Sequence, residues 1–492
     1  MLSLVHILYG VQRKAMRQMP TIPTHWQDVG IHDIVSDSRE VSPGALFVAI
    51  AGERTDGHRY LADVAARGAQ AALVNRETVL ADWPLAESGR AWVLVDPATG
   101  DGLLQATTDS FLLIAVDNPE MALQRLASYH RRQLAVTLVG ITGSVGKTST
   151  KEVVAAVLSQ RFRTLKNKRS FNSDVTVPIS LLHLTPDHEL MVQELGMWAP
   201  GEIRFLCSLA LPKIGIVTNV GPTHLERMGS IEAIANTKAE LLESLPADGI
   251  AILNGDDERV RGMQTHTRAR SFFYGLQPRN DLWADEIVSY GLNGLAFKVH
   301  YGEQVEDFRV RLIGPHHVYS CLAAIATALQ LGMTWEEIRQ GLSSEGIETR
   351  IVTIEGPNGS TLIDDSYNAA PISTVAALDL LATLDGRKIA LLGDMLELGS
   401  VEEEGHRQVG RRVPSAADEL FVVGRRARWV AEEALAQGMP AERIHIAQTN
   451  AEIVTMVKPF LQPEDKVLIK GSRGAALEEV VSALRHRSEE AK

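Results

Sequence analysis

The stretch Gly140-Ile-Thr-Gly-Ser-Val-Gly-Lys-Thr148 follows an apolar run, Leu134 to Val139, and precedes an amphipathic stretch beginning at Lys151. A strand, a glycine-rich turn and a helix start, in that order, present backbone N–H groups to phosphate oxygens. Lys147 adds a point charge, and the Thr148 hydroxyl can ligate Mg2+. The expectation is an ATP site held by Gly143, Ser144, Val145, Gly146, Lys147, Thr148 and Ser149. A full Walker pattern needs glycine at 141, where isoleucine stands, so only the later half is kept: Thr-Gly-x-x-Gly-Lys-Thr. A turn that merely needs glycines would account for Gly143 and Gly146 but not for the Lys-Thr pair.

Working outward, 492 residues exceed what one hydrophobic core organises and suggest about three domains. A net charge of -12 argues against nucleic acid or an anionic membrane as the main partner, but not against small phosphorylated substrates. The only cysteines, Cys207 and Cys321, are too few for a disulfide framework or a zinc cluster and read as buried thiols in a reducing cytosol. Leu2 to Val11 is apolar but carries His6, has its basic residues after it, and lacks a small-residue cleavage pattern. Residues 1–27 are therefore expected to be a flexible extension, with Met16 and Met19 as alternative starts. A cytoplasmic, monomeric protein without an integral membrane segment is expected.

The alternation of strands and helices predicts an α/β protein of three domains. Residues 28–130 hold a small α/β unit with strands near Gly44 to Gly52, Ala71 to Val74 and Trp92 to Val95, and a loop-rich excursion over 76–110. Residues 131–345 alternate apolar strands (Leu134 to Ile141, Leu190 to Leu195, Ile214 to Val220, Ile250 to Leu253) with helices, which predicts a parallel sheet covered on both faces. Residues 346–492 restart the alternation with strands at Thr361, Lys388, Glu419 and Lys466, a Rossmann-like domain without its glycine fingerprint.

Ligands of such sheets bind beyond the carboxyl ends of strands, so the polar residues there are candidates. The second central strand ends at Glu194, and the third leads through Thr218-Asn219 to His224. Alone, Glu194 reads as a cap and His224 as an ordinary half-buried histidine. Beside a phosphate loop, Thr148, Glu194 and His224 make a set suited to Mg2+. Lys238 shares a helical apolar stripe with Ile231, Ile234, Leu241, Leu242 and Leu245. Either it snorkels to water, or desolvation leaves a neutral amine able to take up CO2 as a metal-ligating carbamate. In the last domain, Asp364-Asp365 ends a strand where a ribose or an ammonium could be met. Lys470-Gly-Ser472-Arg473 precedes a helix and suits an anionic group.

These residues resemble the ATP-dependent Mur ligases along nearly the whole chain. Thr142 to Thr148 is similar to that family's shortened phosphate loop. Glu194-Leu-Gly196, Asn219 through His224-Leu225 and Thr237-Lys-Ala-Glu240 are similar to its metal and carbamylated-lysine motifs. Ser36-Asp-Ser38-Arg39, with Pro43 to Ala49 and Gly52 to Gly57, resembles the UDP-binding domain of its third and fourth amino-acid-adding members. Asp364-Asp-Ser-Tyr367-Asn368-Ala-Ala-Pro371, Gly393-Asp-Met-Leu-Glu-Leu-Gly399 and Lys470 to Arg473 resemble the member that adds D-alanyl-D-alanine.

The resemblance implies an ADP-forming ligase that joins D-Ala-D-Ala to UDP-MurNAc-tripeptide through an acyl phosphate, with ATP, Mg2+ and a carbamate on Lys238. It implies Lys147, Lys238, His224, Glu194 and Arg350 as catalytic residues, and His316, His317 and Asp365 as further nucleotide contacts. For substrate it implies Ser36, Ser38, Arg39, Asn172, Tyr367, Asn368, Lys470, Ser472 and Arg473. The chain departs from the pattern at Gly314-Pro-His-His-Val-Tyr-Ser320, where two amides of the adenine segment are replaced, and around Asn172. The rival readings are a Mur-type ligase acting on another peptide stem, and a non-catalytic ATP-binding regulator.

Overall fold

The computed structural model describes residues 1–52, 55–81, 90–344, 347 and 351–485. They divide into two compact units: residues 1–138, 165–195 and 204–212, and residues 139–164, 196–203 and 213–492.

In the first unit, five strands lie in the order Ile34–Val35, Leu46–Val48, Ala71–Asn75, Phe111–Val116 and Trp92–Val95, every neighbouring pair parallel. Phe47, Val64, Ala72, Val74 and Phe111 pack one of its cores. Residues 1–27 are not the flexible extension their composition suggested. Leu2–Ser3 pairs with Gly30–Ile31, Ser3 caps the helix Leu4–Gly10, and Leu4, Ile7 and Leu8 are buried. Gln12 donates to the carbonyls of Leu8, Gln18 and Pro97, and Arg125 donates to that of Val11. The physical reason is a helical stripe: Leu4, Ile7, Leu8 and Val11 recur at three- and four-residue spacing, which a comparison with leader peptides overlooks. Residues 82–89, part of the loop expected over 76–110, lie outside the described residues.

In the second unit, the strands run Gln304–Val310, Leu295–Tyr301, Leu282–Ser289, Arg270–Gly275, Ile250–Asn254 and Ile214–Val217, the last pairing with Val139 to Thr142. The sheet is parallel from residues 139–142 out to Arg270–Gly275, as expected, but the strands over 282–310 form an antiparallel ribbon that breaks the parallel pattern. Leu295, Phe297 and Val299 face inward while Ala296, Lys298 and His300 are more exposed, the period-two alternation of a sheet wetted on one face. The helix Lys147–Leu158 is also less amphipathic than expected, since Lys151 and Glu152 are both buried and form an ion pair at 2.9 Å.

The C-terminal sheet has the order Val352–Glu355, Thr361–Asp365, Lys466–Lys470, Lys388–Gly393, Glu419–Val423 and Ile444–Ala447, with only the first pair antiparallel. That order sets Asp365 opposite Lys470, and Lys470 opposite Leu392, so three motifs far apart in sequence end side by side. Among the described residues no helix is long and apolar enough to cross a membrane.

Candidate functional site

The phosphate loop is shaped by its two glycines. Gly146 takes the left-handed conformation, φ 84°, immediately before the helix, and Gly143 has φ 150°. A Cβ on Gly143 would fall 1.9 Å from Thr218 Oγ1. The loop is strapped to the end of the Ile214–Val217 strand: Ser144 N–H donates to Asn219 O at 3.0 Å, Val145 N–H to Asn219 Oδ1 at 2.9 Å, and Thr218 Oγ1 to Val145 O at 2.7 Å. Ser144 Oγ donates to Gly221 O and accepts from Gly221 N–H. Lys147 folds back, its Nζ donating to Gly143 O at 2.9 Å. Thr148 and Ser149 are half-buried in the first helical turn. Gly143→Ala is expected to destabilise the protein by more than about 1 kcal/mol, because the new methyl meets backbone strain and Thr218 together. Calorimetric unfolding and the KM for ATP would check it; unchanged values would show that the loop can relax.

Lys238 lies within the helix Ile231–Glu243 and is 2% exposed. Its Nζ faces Met197 Sδ at 3.9 Å, a weak acceptor. Burial holds the amine well below its usual pKa, and the charge on Lys147 pushes in the same direction. Snorkelling is thereby excluded, since neither head nor stem reaches water.

His224 is left-handed, φ 60°, at the start of Leu225–Met228. Its Nδ1 lies 2.6 Å from Glu397 Oε2, and its ring packs against Trp198 with centroids 5.3 Å apart. Arg227 covers the Trp198 ring at 4.6 Å. Burial lowers the His224 pKa, Glu397 opposes that, and Lys147 and Lys238 reinforce it. Lys147, Lys238 and His224 therefore share one electrostatic neighbourhood. Neither Glu397 nor Trp198 is among the residues that the sequence marks as candidates. Glu397 stands inside the noted motif Gly393 to Gly399, but nothing local marks which of its residues reaches out.

Glu194, at the end of Leu190–Glu194, belongs to the first unit. There its Oε1 accepts from Asn172 Nδ2 at 2.8 Å and its N–H donates to Asn167 Oδ1. Asn172 and Glu194, predicted for different roles, are thus joined. Also in that unit, Arg39 is paired with Asp37 at 2.6 Å; this hydrogen bond is the leading cause that brings the Asp37 carboxyl down to about 2. Ser36 and Ser38 flank that aspartate, and Arg39 is exposed.

In the C-terminal domain, Lys470 does not offer a free cation. It is buried, its Nζ donating to Asp365 Oδ2 at 2.6 Å and to Asn368 O at 2.9 Å, because the parallel register leaves the two charges facing each other. Arg473 is the exposed cation of this segment, 5.8 Å from the Tyr367 ring. Ser472 Oγ accepts from Leu396 N–H and donates to Ala369 O. His316 and His317 precede and open the helix His317–Gln330, their rings 4.3 Å apart. Among the described residues each Nδ1 is buried without a hydrogen-bond partner, and burial brings His316 down to about 4 and His317 well below its usual value, so both are neutral. Ser320 packs inward against Thr150 at 3.2 Å. Arg350 lies outside the described residues.

The α/β chain that carries this strapped phosphate loop, buried lysine and half-buried histidine is similar to known proteins along nearly its whole length. The family model described as Mur ligase family, catalytic domain matches residues 30–131; Mur ligase middle domain matches 141–328; and Mur ligase, glutamate ligase domain matches 349–473. The chain belongs to the Mur ligase family. Within it, the chain is 33% identical to the UDP-N-acetylmuramoyl-tripeptide--D-alanyl-D-alanine ligase of Bacillus subtilis over 94% of each chain. It is 33% identical to the ligase of the same name from Escherichia coli over 93% of this chain and 94% of that one. A crystal structure of MurF from Acinetobacter baumannii superposes with a TM-score of 0.78 at 28% identity, covering 98% of both chains.

Proposed function

We infer that this chain is an ATP-dependent, ADP-forming peptide ligase that joins D-alanyl-D-alanine to UDP-N-acetylmuramoyl-tripeptide, giving the pentapeptide precursor of the peptidoglycan cell wall. The observation that carries it is Lys238: an amine sealed from water beside a phosphate loop, in a chain that keeps full-length similarity to such ligases. A regulator that only bound ATP would have no use for a buried amine, which costs stability.

In the first step a terminal carboxylate oxygen of the tripeptide attacks the γ-phosphorus of ATP, the bond to the β,γ-bridging oxygen breaks, and ADP leaves. In the second, the dipeptide amine attacks the acyl carbon, phosphate leaves with the bonding pair, and the amine loses a proton. Two anions must meet in the first step, so Lys147 is expected to leave Gly143 O for the phosphates and screen them. Arg350 is assigned a catalytic role; Asp365, His316 and His317 are assigned to the nucleotide, and Ser36, Ser38, Arg39, Asn172, Tyr367, Asn368, Ser472 and Arg473 to the peptide substrates. Lys470 acts through the Asp365 carboxylate it neutralises.

The side chains suit Mg2+. Among the described residues no group of three His, Cys, Asp or Glu side chains could hold a metal ion by itself, so phosphate oxygens would have to complete the shell of an ion held by a few protein groups. Thr148, Glu194, His224 and a carbamate on Lys238 would hold it, and the ion would supply charge neutralisation between the phosphates. The neutral Nζ of Lys238 fits the carbamate: its lone pair forms an N–C bond to CO2 and one amine proton is released. The protein is taken to work in the cytoplasm as a monomer, with domain divisions near residues 130 and 345.

Purified protein given ATP, UDP-MurNAc-tripeptide and D-Ala-D-Ala should release ADP and phosphate only when both acceptor substrates are present. Release of AMP would overturn the acyl-phosphate route, and release without acceptors would overturn the ligase reading.

A further inference from the structure

The geometry points to Glu397 as a positioning residue that reaches from the C-terminal domain to orient His224 for phosphoryl transfer; this inference deepens the proposed ligase reading and rests on it. A carboxylate only accepts, so the 2.6 Å contact places a proton on His224 Nδ1 and turns Nε2 away from Glu397. Trp198 lies against the ring, centroids 5.3 Å apart at a 55° tilt, so the imidazole has a neighbour besides the carboxylate.

The supporting backbone is built for this reach. Glu397 is left-handed, φ 65°, a conformation a non-glycine residue holds only when its surroundings impose it. Its carbonyl accepts from Glu226 N–H at 3.4 Å, and a Cβ on Gly399 would come within 2.9 Å of Glu226 Cα. The loop from Gly393 to Gly399 thus lies directly on the turn that carries His224. At its other end, Asp394 O accepts from Ser472 N–H and Leu396 N–H donates to Ser472 Oγ, which in turn donates to Ala369 O. Seven residues therefore link the segment of Ser472, assigned to the peptide substrates, to the histidine beside the phosphate loop. The orientation of His224 depends on the C-terminal domain being seated.

Two measurements test this on the full chain. In nitrogen NMR of histidine-labelled protein without metal or nucleotide, His224 should show the Nδ1–H tautomer in the wild type and lose it in Glu397→Ala. In kinetics, Glu397→Ala should lower both overall kcat and tripeptide-dependent ADP–ATP isotope exchange measured without dipeptide, by roughly 10- to 100-fold, with little change in the KM for D-Ala-D-Ala. Glu397→Gln, whose amide oxygen still accepts, should retain most activity and report a folded protein. Added to His224→Ala, Glu397→Ala should cost nothing more. An unchanged tautomer, a rise in dipeptide KM with normal exchange, or losses that multiply in the double variant would overturn the assignment. Absence of tripeptide-dependent exchange in the wild type would instead sink the ligase reading, while the tautomer would still test the pair.

Discussion

Replacing Lys238 with alanine should lower ligase turnover about 100- to 1000-fold, the loss typical of removing one preorganised group from a phosphoryl or acyl transfer site. The side chain is fully enclosed and has no strong acceptor in reach among the described residues, so packing alone does not explain it. Lys238→Met separates the roles: it keeps the volume and removes a buried polar group without a good partner, and should stabilise the fold by about 1 to 3 kcal/mol while remaining inactive. The pH dependence follows from the depressed pKa. Between that lowered value and the unfolded value of about 10.4, the unfolded chain binds more protons than the folded one. Wild-type stability should therefore rise with pH across that window, in CO2-free buffer, relative to Lys238→Met. Denaturation at several pH values checks it. A wild-type rate from Lys238→Ala, or a less stable methionine variant, would remove Lys238 from the mechanism.

The second large effect is expected at Lys147. Lys147→Ala should lower kcat/KM for ATP by about 100- to 1000-fold through lost charge on the phosphates. It should also act at a distance, because Lys147 depresses the pKa of both Lys238 and His224. With that charge gone, less of Lys238 is neutral and less can take up CO2. Carbon-13 NMR after labelled bicarbonate should then show a weaker carbamate signal than in the wild type. An equal signal in both proteins would confine Lys147 to the phosphates.

Much of the nucleotide site was legible because it is local. The glycines that shape the turn, the lysine and the threonine stand within seven residues, and strand and helix periods flank them. Lys238 was legible as an exception to a helical stripe. The N-terminal helix is hard to recognise because its apolar stripe is short and superficially similar to a leader peptide. The antiparallel ribbon over 282–310 is not legible because charged residues such as Asp285, Glu286, Lys298 and Asp307 interrupt the apolar alternation of its strands. Lys470 looks like a ligand-facing cation in the sequence because its partner, Asp365, lies 105 residues away.

By itself the sequence determined what depends on spacing along the chain: a phosphate loop, strands enough for three sheets, and one lysine where a core residue belongs. Tertiary structure alone decided which charges are spent internally and which remain available. Lys470 is neutralised by Asp365 only because parallel pairing sets their strands in register, and His224 meets Glu397 only because a left-handed turn carries a C-terminal loop onto it. Pairing energies of that kind depend on distance through space, which spacing along the chain does not encode.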